Sequence, residues 1–112
     1  MDDFHKAHKA YVLACDGISI KENEKVVLKS KTTWSYDFAK GIKGADTKAH
    51  EQVILELNQP HYSYFFARDI PGANIEEHFK VILNSGDKTY LDAFIKYVNY
   101  KNTKVEEWIL YI

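Results

Sequence analysis

The chain is poor in the covalent and apolar features that brace or anchor many small proteins. Its one cysteine, Cys15, cannot form an internal disulfide, which fits a reducing compartment. No apolar run reaches the roughly 18 residues that a membrane-spanning helix needs. The opening MDDFHKAH carries two acidic residues where a secretory signal would carry basic ones. We therefore expect a cytoplasmic protein that does not enter a membrane.

A strong charge of one sign is also missing. The chain has 15 basic and 16 acidic residues, which are interspersed and give a formal net charge of −1. Non-specific nucleic-acid binders are usually clearly basic, so this balance disfavours that class without excluding it. With 46% hydrophobic residues in a chain of 112, a single domain can bury a core of its own.

What the sequence does contain is a repeat of about 28 residues. Four segments align without gaps: GISIKENEKVVL (17–28), GADTKAHEQVIL (44–55), GANIEEHFKVIL (72–83) and YKNTKVEEWILY (100–111). Their starts are 27, 28 and 28 residues apart. We therefore predict one domain of four units, at about residues 1–25, 26–52, 53–80 and 81–112.

Each unit is expected to form two short helices. An apolar stripe of helical period opens the unit, as at Trp34, Phe38 and Ile42, and it recurs around Phe66 and Phe94. A glycine follows the stripe in the first three units (Gly17, Gly44 and Gly72), and then comes a residue suited to cap a second helix (Ser19, Asp46, Asn74 and Asn102). Ser19 and Glu22 also have the spacing of a capping box.

The second helix of each unit closes with a run such as Val53-Ile54-Leu55, which could also form a strand. Because each run ends a capped segment with a polar face, helix is favoured. Helices of this length are marginal alone and must stack on one another. The prediction is an all-α fold, a short helical-repeat solenoid of four two-helix units with about eight short helices.

The repeat pattern resembles tandem two-helix repeats of uncharacterised phage and bacterial proteins. The residues that carry the resemblance are Phe66, Ala67, Ile70, Gly72, Ala73, Asn74, Ile75, His78, Val81, Ile82 and Leu83, with Phe38, Ala39, Ile42, Gly44, Ala45, His50 and Glu51 in the preceding unit. The resemblance covers residues 26 to 98 well and the two ends loosely. It implies an α-helical repeat scaffold, and it carries no known activity that could be assigned to this chain. The last unit departs from it, with Tyr100 in place of the glycine and Trp108 at a usually polar position.

Nothing in the sequence indicates catalysis, a metal or a cofactor. There is no G-x-S-x-G, phosphate-loop or H-E-x-x-H motif. Cys15 aligns with the core positions Ile42 and Ile70, so we expect it to be buried and unreactive. His50 and His78 lie one repeat apart, too far for one ion, and are expected to be surface or half-buried polar residues.

Two sets of residues are candidate binding sites. Tyr64 and Phe65 lie off the apolar stripe, and Phe65 takes a column that holds Asp37 and Ala93 in other units, so we expect an exposed aromatic pair with Arg68 nearby. Tyr97 and Tyr100 form a second aromatic candidate.

The other set repeats one basic residue in three units, at Lys40, Arg68 and Lys96, and it could form a ladder for an acidic partner. The alternative, which is favoured, is an ordinary solvated helix face on which the three basic residues agree by chance.

The sequence thus favours a non-enzymatic module that binds another protein around Tyr64, Phe65 and Arg68. The phage-like resemblance implies a narrower hypothesis, a small inhibitor or decoy of a host defence or regulatory protein that acts in the host cytoplasm. The alternatives are a nucleic-acid-associated protein that uses the basic ladder, and self-association through the end repeats.

Overall fold

The chain is all-helical in the computed structural model, which describes residues 2–100, with side chains described to residue 99. Within that range it forms seven α-helices and no strand. They are α1 (Asp3–Cys15), α2 (Ile20–Ser30), α3 (Trp34–Gly41), α4 (Thr47–Leu57), α5 (Pro60–Asp69), α6 (Ile75–Ser85) and α7 (Lys88–Tyr100). The predicted all-α class is confirmed, and the eighth predicted helix lies outside the described residues.

Each helix packs against the next along the chain, and alternate helices also touch. Contacts join α1 to α3, α3 to α5 and α5 to α7, while α2, α4 and α6 make a second series. The helices therefore form two layers, which we call the first-helix layer (α1, α3, α5 and α7) and the second-helix layer (α2, α4 and α6). A repeat period determines the length of a unit but not where it starts. The unit boundaries predicted near residues 26, 53 and 81 fall inside α2, α4 and α6.

The predicted apolar stripe forms the core. Phe38, Phe66 and Phe94 are each no more than 1% exposed, and Ile42, Ile70 and Val98 are buried beside them. The first three runs that could have formed strands lie in α2, α4 and α6, and the fourth, at 109–111, lies outside the described residues. The inward face was therefore predicted correctly from its period.

The helix ends match the predicted signals at most positions. Gly17, Gly44 and Gly72 have φ values of +78°, +82° and +80°, a conformation that strains residues with a Cβ. The side chains of Asp46 and Asn74 accept hydrogen bonds from the backbone N–H groups of Ala49 and Glu77, each at 3.2 Å. The fourth predicted cap, Asn102, lies outside the described residues.

The predicted cap and capping box at Ser19 are wrong. Ser19 has a left-handed backbone, with φ +44° and ψ 52°, and its side chain makes no capping hydrogen bond. An N-cap residue normally has an extended backbone, which aims its side-chain oxygen at the free N–H groups of the first turn. With its left-handed backbone, Ser19 does not direct its side-chain oxygen at those N–H groups.

Cys15 is exposed, contrary to the sequence prediction. The first helix buries Ala7, which aligns with Trp34, but its other two buried residues are Ala10 and Ala14, while the aligned Tyr11 is only half-buried. Alanine side chains allow two helices to approach closely, and all three alanines belong to the cluster that holds Val27 of α2. The buried face of α1 is thus rotated relative to those of α3 and α5, and this rotation leaves Cys15 outside.

His50 and His78 are fully buried, which corrects the expectation of surface or half-buried residues. The ring of His50 stacks on Phe38 with centroids 5.1 Å apart, and that of His78 stacks on Phe66 at 5.4 Å. We call α1 and α2, α3 and α4, and α5 and α6 the helix pairs. Each histidine ring therefore completes the core between the two helices of its own pair.

A buried glutamate from the preceding helix pair contacts each histidine. His50 Nε2 lies 3.0 Å from Glu24 Oε2, and His78 Nε2 lies 2.9 Å from Glu51 Oε2. The same glutamate oxygens accept the backbone N–H of Asp46 and Asn74, both at 2.7 Å. We call each such arrangement a glutamate link. It joins α2 to the start of α4, and α4 to the start of α6.

Burial keeps both histidines neutral at ordinary pH. Loss of solvation lowers the pKa of His50 and of His78, although Glu24 and Glu51 act in the opposite direction. The Nδ1 atom of each ring is buried without a hydrogen-bond partner among the described residues. A proton at Nδ1 would be an unsatisfied buried donor, so the favoured form is the neutral ring that donates from Nε2 to the glutamate.

Removing one carboxylate should destabilise the protein strongly. Glu51→Ala leaves two neutral donors, His78 Nε2 and the Asn74 N–H, without their acceptor. At about 1–3 kcal/mol for each unsatisfied buried donor, we expect a loss of about 2–6 kcal/mol in the free energy of unfolding. Glu51→Gln keeps one acceptor oxygen and should lose less. The control is Gln52→Ala on the exposed side of the same helix, with an expected change within about 0.5 kcal/mol. Chemical denaturation measures all three, and equal effects of Glu51→Ala and Gln52→Ala would contradict the link.

Stability should fall as the pH drops below the ordinary histidine pKa of about 6.5. The folded state lowers the pKa of both histidines, so the unfolded chain binds protons more readily below that value. The stability is present above pH 6.5 and is lost toward the lower folded pKa, by up to about 1.4 kcal/mol per pH unit for each histidine. Unfolding at several pH values measures this. The slope should be shallower in His50→Gln/His78→Gln, and an unchanged slope would show that other groups cause it.

Candidate functional site

A continuous group of aromatic rings lies on the first-helix layer and spans three of its helices, α3, α5 and α7. It comprises Tyr36 of α3, four neighbouring residues of α5, and Tyr90 of α7. We call it the aromatic face: Tyr36, His61, Tyr62, Tyr64, Phe65 and Tyr90. All of these side chains except the buried Tyr36 are half-buried, so their rings are packed together and still reach the surface.

Phe65 lies at the centre of the aromatic face. Its ring centroid is 5.8–6.2 Å from the centroids of five others, belonging to Tyr36, His61, Tyr62, Tyr64 and Tyr90. The edge-on and tilted orientations are those that aromatic pairs prefer.

The sequence predicted that Tyr64 and Phe65 would be exposed, whereas the structure half-buries both. The difference arises because α5 lies between α3 and α7, and rings from both neighbours fill the space around Phe65. Its column has no aromatic residue in the other units, and this feature correctly marked it as specific to one unit.

A charged group borders the aromatic face. The guanidinium of Arg68 lies 5.2 Å from the centroids of both Tyr64 and Phe65, within the range of cation–π attraction. It also donates two hydrogen bonds to Asp69, from Nε at 2.7 Å and from a terminal nitrogen at 2.9 Å. Asp69 accepts a third hydrogen bond from the Tyr36 hydroxyl of the neighbouring helix. Arg68 is therefore held in place on the rings.

Asp69 and Tyr36, at the border of the aromatic face, each keep one protonation state at neutral pH. The hydrogen bonds from Arg68 hold the pKa of Asp69 below its usual range despite partial burial. Burial, and then the hydrogen bond to Asp69, raise the pKa of Tyr36 to about 12. The carboxylate remains charged and the phenol remains protonated, which is a fixed pattern suited to recognition.

Asp69 changes the interpretation of the predicted basic ladder. Lys40 Nζ lies 3.8 Å from Asp69 Oδ2 and 5.6 Å from the Tyr36 ring centroid. Lys40 and Arg68 thus meet at one acidic residue, while Lys96 is exposed on α7. The ladder prediction missed Asp69, because its column holds Gly41 and Tyr97 in the neighbouring units and gives no sign of an acid.

Tyr97 has a packing role in the structure. Its side chain is half-buried and its hydroxyl donates to the backbone oxygen of Arg68 at 3.2 Å, which ties α7 to α5. The side chain of Tyr100 is outside the described residues, so the second aromatic candidate reduces to Tyr97.

The described residues contain neither a metal-binding cluster nor a helix suited to span a membrane. No group of three or more histidine, cysteine or acidic residues in that part could hold a metal ion. His50 and His78 each contact a glutamate instead, and His5 contacts Asp2. Among the helices of residues 2–100, none combines the length and the apolar character that crossing a membrane requires.

No protein-family model, curated protein or solved structure matches this chain. The aromatic face therefore has to be interpreted from its own geometry.

Proposed function

We propose that this protein is a non-enzymatic interaction module that binds another protein through the aromatic face and Arg68. Stacked helix pairs present the face as a short solenoid would. The observation that carries the proposal is the set of five rings around Phe65, with Arg68 lying over Phe65 and one of its neighbours. Tyrosine and arginine are enriched among the residues that dominate binding energy at protein interfaces.

The packing of the face supports this proposal. Half-buried rings that hold one another lose little conformational freedom when a partner binds, and Arg68 is already fixed by Asp69. The five half-buried rings still offer apolar surface, and the tyrosines among them add hydroxyl groups. This combination supplies a large contact area at low entropic cost. The narrower hypothesis, an inhibitor or decoy of a host protein, rests on the repeat resemblance alone.

Single-stranded nucleic acid is the second candidate, because rings flanked by Lys40 and Arg68 could stack bases and approach phosphates. The carboxylate of Asp69 lies between these two cations and opposes phosphate binding. Retention of single-stranded DNA or RNA that falls as salt increases would favour this candidate over the protein-binding one.

The binding proposal can be tested with a matched pair of variants. Arg68→Ala removes the cation from the aromatic face, whereas Lys48→Ala removes an exposed cation from α4 in the second-helix layer. Phe65→Leu keeps apolar volume but removes the central ring. Immobilised wild type and variants are exposed to lysate of the source cells, and retained proteins are quantified by mass spectrometry. Candidates are then purified and titrated.

We expect a partner that wild type and Lys48→Ala bind equally. Arg68→Ala and Phe65→Leu should each bind it at least about 30-fold more weakly, the effect of losing a residue worth about 2 kcal/mol at an interface. Thermal unfolding verifies that the variants remain folded. If every retained partner binds all four proteins with the same affinity, the aromatic face is not the binding site.

A further inference from the structure

The guanidinium of Arg68 pairs with a carboxylate along one of its edges. Its Nε and one terminal nitrogen donate to the two oxygens of Asp69, at 2.7 and 2.9 Å. A guanidinium has a second edge, formed by its two terminal nitrogens, with the same parallel arrangement of donors. In the part of the chain that the structure describes, no second carboxylate pairs with Arg68. This second edge is therefore open to a carboxylate from another molecule.

Contacts on its other sides hold the guanidinium in place. Its central carbon lies 5.2 Å from the ring centroids of Tyr64 and Phe65, so one flat face is directed at the rings. Asp69 is held in turn by the hydroxyl of Tyr36 on the neighbouring helix. The side chain of Arg68 is nevertheless 40% exposed. With one face and one edge occupied, the exposed part consists of the opposite face and the second edge.

The charged groups beside the aromatic face do not balance. Lys40 and Arg68 share the single carboxylate of Asp69, and Lys40 Nζ lies 3.8 Å from Asp69 Oδ2. Hydrogen bonding to Asp69 raises the pKa of Arg68, and Tyr64 acts in the same direction, so the guanidinium stays charged. Two cations and one anion leave one positive charge next to a surface of packed rings.

We propose that the aromatic face binds an acidic peptide segment, in which an aspartate or glutamate pairs with the second edge of Arg68 and a large apolar side chain packs on Phe65. This inference rests on the proposed function, because it names the chemistry of the partner at the same site. A carboxylate fits a guanidinium edge through two parallel hydrogen bonds. Since Phe65 lies under the same guanidinium, the acid and the apolar residue have to be near neighbours in the partner.

A carboxylate suits this site better than a phosphate does. Asp69 adjoins the second edge and repels any anion that binds there, and the repulsion grows with the charge of that anion. A phosphate monoester carries about −1.5 to −2 charges at neutral pH, against a single charge for a carboxylate. A nucleic-acid strand brings further phosphates on both sides of the bound one. The charges at the site therefore favour an acidic protein segment.

A displayed library of random short peptides supplies the probe. The library is selected on immobilised wild-type protein, and the enriched peptides are synthesised and titrated. We expect each to carry an aspartate or glutamate close to an aromatic or large aliphatic residue. Replacing that acid by its amide should weaken binding at least about 10-fold, the effect of losing hydrogen bonds to a charged group. Enriched peptides that lack an acid, or a library from which wild type retains no peptide, overturn the proposal.

A double-mutant cycle tests whether that acid pairs with Arg68. Arg68→Ala should bind the acidic peptide and its amide form with similar affinity, because the acid has lost its partner. Arg68→Lys keeps the charge without the two-pronged edge, so it should lose most of the difference between the two peptides. Lys48→Ala, which removes an exposed cation of α4, should keep the whole difference. A difference that is as large in Arg68→Ala as in wild type overturns the proposal.

Phe65→Leu separates a failure of this inference from a failure of the proposed function. Peptides that bind Phe65→Leu more weakly than wild type, but show no coupling between their acid and Arg68, would leave the aromatic face as a binding site and overturn only the acidic segment. Peptides that bind wild type, Phe65→Leu and Arg68→Ala equally would contradict both. Thermal unfolding verifies that each variant is folded.

Single-stranded poly(dT) is the competing probe, because it offers phosphates and stacking bases in place of carboxylates. It should displace the acidic peptides from wild type only weakly. Tighter binding of poly(dT) than of any enriched peptide, lost in Arg68→Ala, would show that a phosphate is the preferred anion at Arg68 and would overturn the proposal.

Discussion

The described structure depends on a buried carboxylate shared by two donors of the next helix pair. Glu24 accepts from His50 and from the Asp46 amide, and Glu51 repeats this arrangement one pair later. A buried carboxylate is costly unless its lone pairs are occupied, and here both donors come from the following pair. The glutamate link is therefore favourable only in one register between consecutive pairs.

This register determines what the surface can present. Each linked histidine stacks on a phenylalanine of the first-helix layer, so the link at Glu51 positions α5 through His78 and Phe66. With α5 in place beside α3 and α7, rings from all three helices meet at Phe65. The aromatic face therefore depends on the spacing between helix pairs, because its rings come from three different helices.

Periodicity and capping rules predicted a large part of the fold. The apolar stripe, three of the glycine turns, and the caps at Asp46 and Asn74 follow from local sequence, because each depends on residues only a few positions apart. The exposed Cys15 could not be predicted in the same way. It depends on how closely the alanines of α1 approach α2, which is a property of two helices together.

The burial of the histidines and the composition of the aromatic face also depend on contacts between units. His50 and His78 stand in one column of the repeat alignment. The glutamates that contact them, Glu24 and Glu51, stand in the next column, one unit earlier. A signal was present across the columns, because each histidine follows a unit that has a glutamate in that adjacent column. The column of Phe65 marked it as specific to one unit. The role of Asp69 could not be predicted from its column, because it depends on a contact between α5 and Tyr36 of α3.

Hydrogen exchange at three backbone amides tests the glutamate link most directly. Asp46 and Asn74 precede their helices, where amide groups are ordinarily open to solvent, but here each donates to a buried carboxylate. Ser19 is the aligned residue of the first pair, and within residues 2–100 no glutamate accepts a hydrogen bond from its amide. NMR-detected exchange should show Asp46 and Asn74 protected and Ser19 exchanging rapidly. Exchange at Asp46 and Asn74 as fast as at Ser19 would contradict the account.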